Sequence, residues 1–405
     1  MLGMSPTLEL AVGALFLGVL LFSKAEISYY HLMFILCANE LLNFGTTSLT
    51  MIFTALFTIK HWVMSKKHLV DIKYMLSLVC IISFCLFLFL SGSGEQLSNT
   101  IKQVFFLYFM TVVLRETEGH WDKLFGNTFK CIAVGIIYFG MLSFLTNGLP
   151  SLGTRYTFHE DVTINFFGII SALSIVNMLY YKIILRGKVN TLLIIGCLFF
   201  GILTQSRSFI LATAIGIVLI ILLSPKLKQK LKIIAGAIAV FCVLAFVISC
   251  IPVVSQYIEV AFLRIIDPNG DDISNGRYTL WDTTIQNMME NRRYFWFGAG
   301  DFKNVAAAFD EKVMVAHNVF LETWVVYGVL GCALMVVVFG IYINKEIFYK
   351  KRATFSFVAF TPLIVLFCAL FYSHHFIGRS MSMIFVISWL PLAIGIPALQ
   401  KERLK

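Results

Sequence analysis

LLIIGCLFFGILTQSRSFILATAIGIVLIILL, residues Leu192 to Leu223, is apolar except for the island TQSRS at its centre, Thr204 to Ser208. Placing an arginine in mid-membrane costs about 2.5 to 3.5 kcal/mol on insertion scales, so an ionisable residue there marks a functional position by default. Arg207 is therefore the leading candidate of the chain, and an anion is the partner its chemistry asks for. As an interfacial residue it could instead snorkel to water. Against that, the apolar runs on either side are short for spans and are both flanked by basic loops. The island then becomes the tip of a hairpin on the opposite face, recessed into protein.

The rest of the chain repeats the pattern. Of 405 residues, 59% are hydrophobic and 13% charged, with a mean hydropathy of +0.85, a balance foreign to water-soluble globular folds of this length. The expected fold class is all-α, a polytopic membrane bundle forming one membrane domain over residues 1–405. Spans of about 20 apolar residues fall near 8–22, 28–60, 74–91, 98–114, 127–146, 162–181, 190–205, 206–223, 231–250, 317–343, 354–373 and 380–398. The second is too long for one crossing, and Asn39, Glu40, Asn43 and Gly45 could divide it, so 12 or 13 crossings are expected. No Lys or Arg precedes Lys24, so the first segment reads as a retained anchor rather than a secretory signal.

Loops near 60–73, 115–130, 182–188, 226–232, 345–352 and 401–405 hold 21 of the 32 Lys and Arg. By the positive-inside rule these loops face the cytoplasm. The net charge of +10 follows from that topology and from contact with anionic lipid, and it implies no nucleic-acid partner. Cys80, Cys85, Cys197 and Cys242 lie in apolar stretches and no pair has CxxC spacing, so neither a metal nor a disulfide framework is expected.

Residues 251–316 form the one long hydrophilic stretch, with nine of the 22 acidic residues. It is expected outside, one span beyond the lysine-rich loop at 226–232. Loops of this length usually carry function. Within it DPNGDDISNG (Asp267 to Gly276) is turn chemistry, with Ser274 or Asn275 able to cap a helix starting just beyond. Leu280, Trp281, Thr284, Ile285, Met288 and Met289 then recur at helical spacing. The pattern predicts an amphipathic helix over 277–290, lying on the outer membrane surface or closing over a cavity, with Arg277 in its first turn.

Downstream, WFGAGDFKNV begins at Trp296, where Gly298 and Gly300 suit a tight turn. A dinucleotide loop is excluded because Lys303 stands where the third glycine would be and no strand precedes it. A calcium loop at Asp267, Asn269 and Asp271 fails similarly, with Asp272 in the glycine position and Tyr278 in that of the bidentate glutamate. His317 and Asn318 open the span at 317–343, and Glu322 follows Asn318 by one helical turn. The imidazole suits an acid, a base or a neutral hydrogen-bonding group; capping or an interfacial place is its simpler reading.

SRS (Ser206 to Ser208), RYTLWDTTI (Arg277 to Ile285), FGAGDF (Phe297 to Phe302) and HNVFLETWVVYGVLG (His317 to Gly331), in this order around a large outer loop, resemble the bacterial O-antigen polymerases, O-antigen ligases and related oligosaccharyltransferases. The resemblance covers the C-terminal half, and Ser208 departs from it where the family often has Gly. It implies a metal-independent and cofactor-free glycosyltransferase of the bacterial cytoplasmic membrane, acting on the extracytoplasmic face. The donor would be an oligosaccharide on polyprenyl pyrophosphate and the acceptor another lipid-linked repeat unit or a lipid core, with a chain-length regulator protein as a candidate partner. Arg207, Arg277 and His317 would be catalytic, the arginines on the pyrophosphate and His317 on the acceptor hydroxyl or the leaving phosphate. Ser206, Ser208, Arg155, Arg264, Tyr278, Trp281, Gly298, Gly300, Asn318 and Glu322 would line the substrate.

Polymerisation of a surface polysaccharide is the favoured form, ligation to a lipid core the alternative. A flippase for the same lipid-linked glycan is the rival from another class. It would call for mid-span ionisable residues and internal repeats, and only Glu40 is a mid-span acid.

Overall fold

The computed structural model describes residues 21–38, 43–44, 47–64, 120–148, 156–157, 164–183, 186–223, 277–300 and 318–343, with isolated positions elsewhere. These are helical apart from turns and one short antiparallel pair. The expected spans at 74–91, 354–373 and 380–398 lie outside the described residues, and that at 231–250 is described only at scattered helical positions.

The long apolar stretch at 28–60 is broken. Helix α1 (Ala25–Ile35) runs into a 3-10 turn (Leu36–Ala38), β1 (Asn43–Phe44) pairs with β2 (Thr47–Ser48), and α2 (Leu49–Met64) returns. A single helix of 33 residues would reach about 50 Å, well beyond the roughly 30 Å of hydrocarbon, and Asn43, one of the residues expected to divide the stretch, falls at this reversal. Next come α3 (Trp121–Asn147), α4 (Ile164–Ile183), α5 (Thr191–Leu203) and α6 (Arg207–Leu223). Residues Lys123–Leu145 and Ile164–Ile183 are long and apolar enough to cross a membrane.

Packing fixes how these helices run. Thr128 bonds Tyr29 Oη while Gly135 abuts Phe34, so α1 and α3 are parallel. Gly196 meets Ile137 and Gly140 meets Phe200, so α3 and α5 are parallel too. Gly168 faces Ser206 and Phe209, and Gly216 faces Val176, which aligns α4 with α6. The core between them is aromatic and close-packed, with Phe125, Phe129, Phe166, Phe167 and Phe200 fully buried. Outward faces carry apolar stripes instead: Val134, Tyr138, Met141 and Leu145 on α3, and Leu192, Ile195 and Phe199 on α5. Contiguous exposed apolar surface of this kind suits a hydrocarbon surround rather than water.

A second group consists of α7 (Arg277–Glu290), α8 (Arg292–Phe297) and α9 (Val319–Ile343). α7 has the bounds expected from its periodicity, but its buried face is narrower. Leu280, Trp281 and Met288 pack on Val325 and its neighbours and Thr284 is buried, whereas Ile285 and Met289 are exposed. The reason is geometric, since 281, 284 and 288 form one stripe and 285 and 289 join Tyr278 on the next. The expected single span at 317–343 is also corrected, because Gly328 has non-helical φ and ψ and divides α9.

The α4/α6 contact yields a test. A Cβ on Gly168 would sit 2.9 Å from Ser206 Cβ and 3.2 Å from Phe209 Cβ. Gly168→Leu is expected to destabilise by about 1 to 3 kcal/mol through overpacking, read as a lowered Tm of the detergent-purified chain. An unchanged Tm would dissolve this pairing.

Candidate functional site

The turn joining α5 to α6 is built almost wholly from its own polar groups. Thr204 Oγ1 donates to the Gly201 carbonyl at 2.6 Å and accepts from the Ser206 amide at 3.2 Å. Gln205 takes φ of 50°, a left-handed conformation that reverses the chain, and its amide bonds the Ile202 carbonyl at 2.9 Å. Ser206 then heads α6, its carbonyl accepting the Ile210 amide. Its hydroxyl lies 2.6 Å from that of Ser208 and donates to Asn165 Oδ1 at 3.3 Å. Thr204, Ser206 and Ser208 have no exposed surface and Arg207 is half-buried. The recessed hairpin tip expected of TQSRS is thus present.

Tyr156 fastens a further segment to this tip. Its amide donates to the Leu203 carbonyl at 3.1 Å, its hydroxyl to the Gly140 carbonyl at 2.9 Å, and its ring lies 4.9 Å from that of Phe144. Neither Asn165 nor Tyr156 was singled out by the sequence. Asn165 stands at the head of an apolar helix, which is the one local signal it offers.

Such a turn can bind an anion. The first amides of α6 have no intrahelical acceptor and carry the positive end of the helix dipole. Arg207, in the first position of that helix, adds a permanent, planar charge able to grip phosphate oxygens with two N–H groups.

The second set of expected residues gathers around α9. Asn318 caps that helix, accepting the amides of Phe320 at 3.1 Å and Leu321 at 3.3 Å. Glu322 is buried one turn further on, its amide bonded to the Asn318 carbonyl. Gly298 and Gly300 have φ of 81° and 76°, as a tight turn requires. That turn lies directly on the break in α9. The Ala299 amide donates to the Val325 carbonyl at 2.7 Å, and Trp324 Nε1 to the Phe295 carbonyl at 3.3 Å. A Cβ on Gly298 would strike the Val326 carbonyl, and one on Gly328 the Trp296 carbonyl. Two backbones therefore cross where only glycine fits, and Gly328, with φ of 65°, is the partner that the sequence pattern did not reveal.

Tyr278 is exposed, with its ring edge-on to that of Trp281 at 5.5 Å. Trp281 itself is half-buried against the α9 cluster. Arg277 heads α7, one turn before Trp281 and two before Thr284; its side chain is not among the described residues. His317, Arg155 and Arg264 likewise lie outside them. The structure thus joins Ser206, Arg207 and Ser208 in one cluster, and Tyr278, Trp281, Gly298, Gly300, Asn318 and Glu322 in another.

Residues 191–336 match the model of a family described as O-antigen ligase. The matched stretch takes in α5 to α8, most of α9 and all four motifs of the resemblance. No curated protein and no solved structure matches the chain.

The glycine crossing generates a prediction. An L residue forced into left-handed φ costs roughly 1 to 2 kcal/mol before any steric clash. Gly298→Ala and Gly328→Ala should therefore each lower the Tm of the purified chain. Because the two share one contact, the double variant should fall short of the summed losses; strict additivity would mean that the two glycines act independently.

Proposed function

We propose that this chain, whose residues 191–336 match the model of a family described as O-antigen ligase, is a glycosyltransferase that extends a surface polysaccharide from lipid-linked repeat units. Its donor is an oligosaccharide on polyprenyl pyrophosphate, and the reaction takes place on the extracytoplasmic side of the bacterial inner membrane. The observation that carries this reading is Arg207 at the head of α6, set among buried hydroxyls at the end of a bundle with apolar outer faces.

The acceptor hydroxyl attacks the anomeric carbon, the bond from that carbon to the phosphate oxygen breaks, and polyprenyl pyrophosphate leaves with the electron pair. Arg207 and Arg277 stabilise the charge that grows on the leaving diphosphate, and His317 takes the hydroxyl proton. One displacement inverts the anomeric centre, because the motifs contain no spaced carboxylate pair to support a double displacement. Ser206 and Ser208 hold the turn that aims Arg207, and Tyr278 and Trp281 offer ring faces to sugar. Arg155 and Arg264 are further cations assigned to the substrate, and Asn318 and Glu322 set the helix start just after His317.

Ligation to a lipid core is the second reading, favoured by the description of the matching family itself. It demands the same donor chemistry and differs only in the acceptor. A deletion strain examined by gel separates the possibilities. Single-repeat surface glycan indicates a lost polymerase, unattached polymer a lost ligase, and repeats trapped on the inner face a lost flippase.

Arg207→Ala and Arg277→Ala are each expected to abolish glycan transfer with membrane insertion intact, and Arg207→Lys to restore little, since an ammonium cannot form the bidentate fork. Normal glycan in Arg207→Ala would remove that residue from the site. His317→Ala should lose turnover while retaining donor binding; an equal loss of donor affinity would make it a phosphate ligand instead.

A further inference from the structure

The end of the bundle opposite the Thr204–Ser208 turn carries a different kind of site. α1 and α3 are parallel, and Tyr156 reaches Gly140 near the far end of α3, so the start of α1 lies at the other end. There a cavity of about 230 Å³ opens among Ser23, Lys24, Phe57, Lys60, His61 and Glu116. Glu116 Oε2 accepts the Ala25 amide at 3.1 Å and so occupies the start of α1. Lys60 gives one of its three N–H donors to the Leu21 carbonyl, with its ammonium 6.0 Å from the Phe22 ring. Among the described residues, two ammonium groups face one carboxylate, a net positive lining. His61 lines the same cavity as a hydrogen-bonding group.

The surface beside this cavity is apolar. Leu56, Ile59 and Val63, at helical spacing on α2, are exposed, and Phe22 beside Lys60 is 88% exposed. We propose that this cavity binds the phosphate headgroup of an anionic membrane phospholipid, with the acyl chains lying along the Leu56–Ile59–Val63 stripe. A free phosphate would engage the lysines but make no use of that stripe, and a zwitterionic lipid would bring its own cation against Lys24 and Lys60.

The full-length chain, purified in detergent and analysed by native mass spectrometry with added phosphatidylglycerol or phosphatidylcholine, provides the test. Phosphatidylglycerol should be retained in preference to phosphatidylcholine. The Lys24→Gln, Lys60→Gln double variant should lose roughly thirty-fold of that retention, in line with about 1 kcal/mol for each of the two basic residues near an anionic surface. Glu116→Gln keeps an acceptor for the Ala25 amide and removes the opposing charge, so it should bind phosphatidylglycerol more tightly, a gain that a structural role alone would not produce. Lys182→Gln, at the same end but outside the cavity, should change nothing. Equal retention of both lipids, an unaltered double variant or a Glu116→Gln without gain would each overturn the proposal. Displacement of the lipid by millimolar glycerol 3-phosphate would mark a free-phosphate site and overturn it as well.

Discussion

An arginine between two apolar helices sits beside irregular chain whose backbone groups need partners within the protein, and that constraint organises the α5–α6 turn. Hydrocarbon offers backbone groups no partners, so irregular chain at membrane depth must be buried in protein or line a polar hollow. Here Thr204 closes the end of α5, Gln205 reverses the chain, Ser206 starts α6, and Asn165 and Ser208 take up the Ser206 hydroxyl. The turn is thus held largely by its own hydroxyls and amides, and Arg207 adds charge to it.

The same economy holds in the second cluster, where the device is close approach. The Gly298 turn and the break at Gly328 let two backbones cross, and the Ala299 and Trp324 bonds lock the crossing. α8 and α9 are thereby fixed to each other, and α7 is packed onto α9 through Trp281 and Met288. Arg277 and Asn318 each sit at the start of a helix within that assembly. Positions at the ends of mutually locked helices are defined to within small displacements, as a site that must hold its groups in fixed geometry requires.

How much of this was legible in the sequence depends on which signals are local. Periodicity and turn chemistry gave α7 its bounds and the hairpin its tip at TQSRS, because each depends on residues within a turn or two; Asn318 was read as opening its span, and its capping role emerges only in the structure. The division of the stretch at 28–60 was legible from length against bilayer thickness. Gly328 was not, since hydropathy is continuous through the break and φ leaves no trace in it. Ile285 and Met289 were assigned to the buried face because apolar residues on neighbouring stripes cannot be told apart until a partner helix is present. Asn165 and Tyr156 act on residues some 40 to 50 positions away, beyond the reach of any spacing argument.

The two ends of the bundle also differ in the cation they employ, and the difference has a physical meaning. Lys24 and Lys60 line an open cavity, where a compact, strongly hydrated ammonium can exchange among headgroups without giving up its water. Arg207 sits half-buried in a turn whose hydroxyls have no exposed surface. A guanidinium is more weakly hydrated and presents its N–H groups in a rigid plane, so it loses less on leaving water and gains more against a diphosphate. Lysine at 207 would be hydrated too strongly for that depth, and arginine at 24 or 60 would gain little from its fork. On the proposed function and the proposed lipid site, the choice of cation at each end separates a surface suited to holding lipid from a site suited to stabilising charge as a bond breaks.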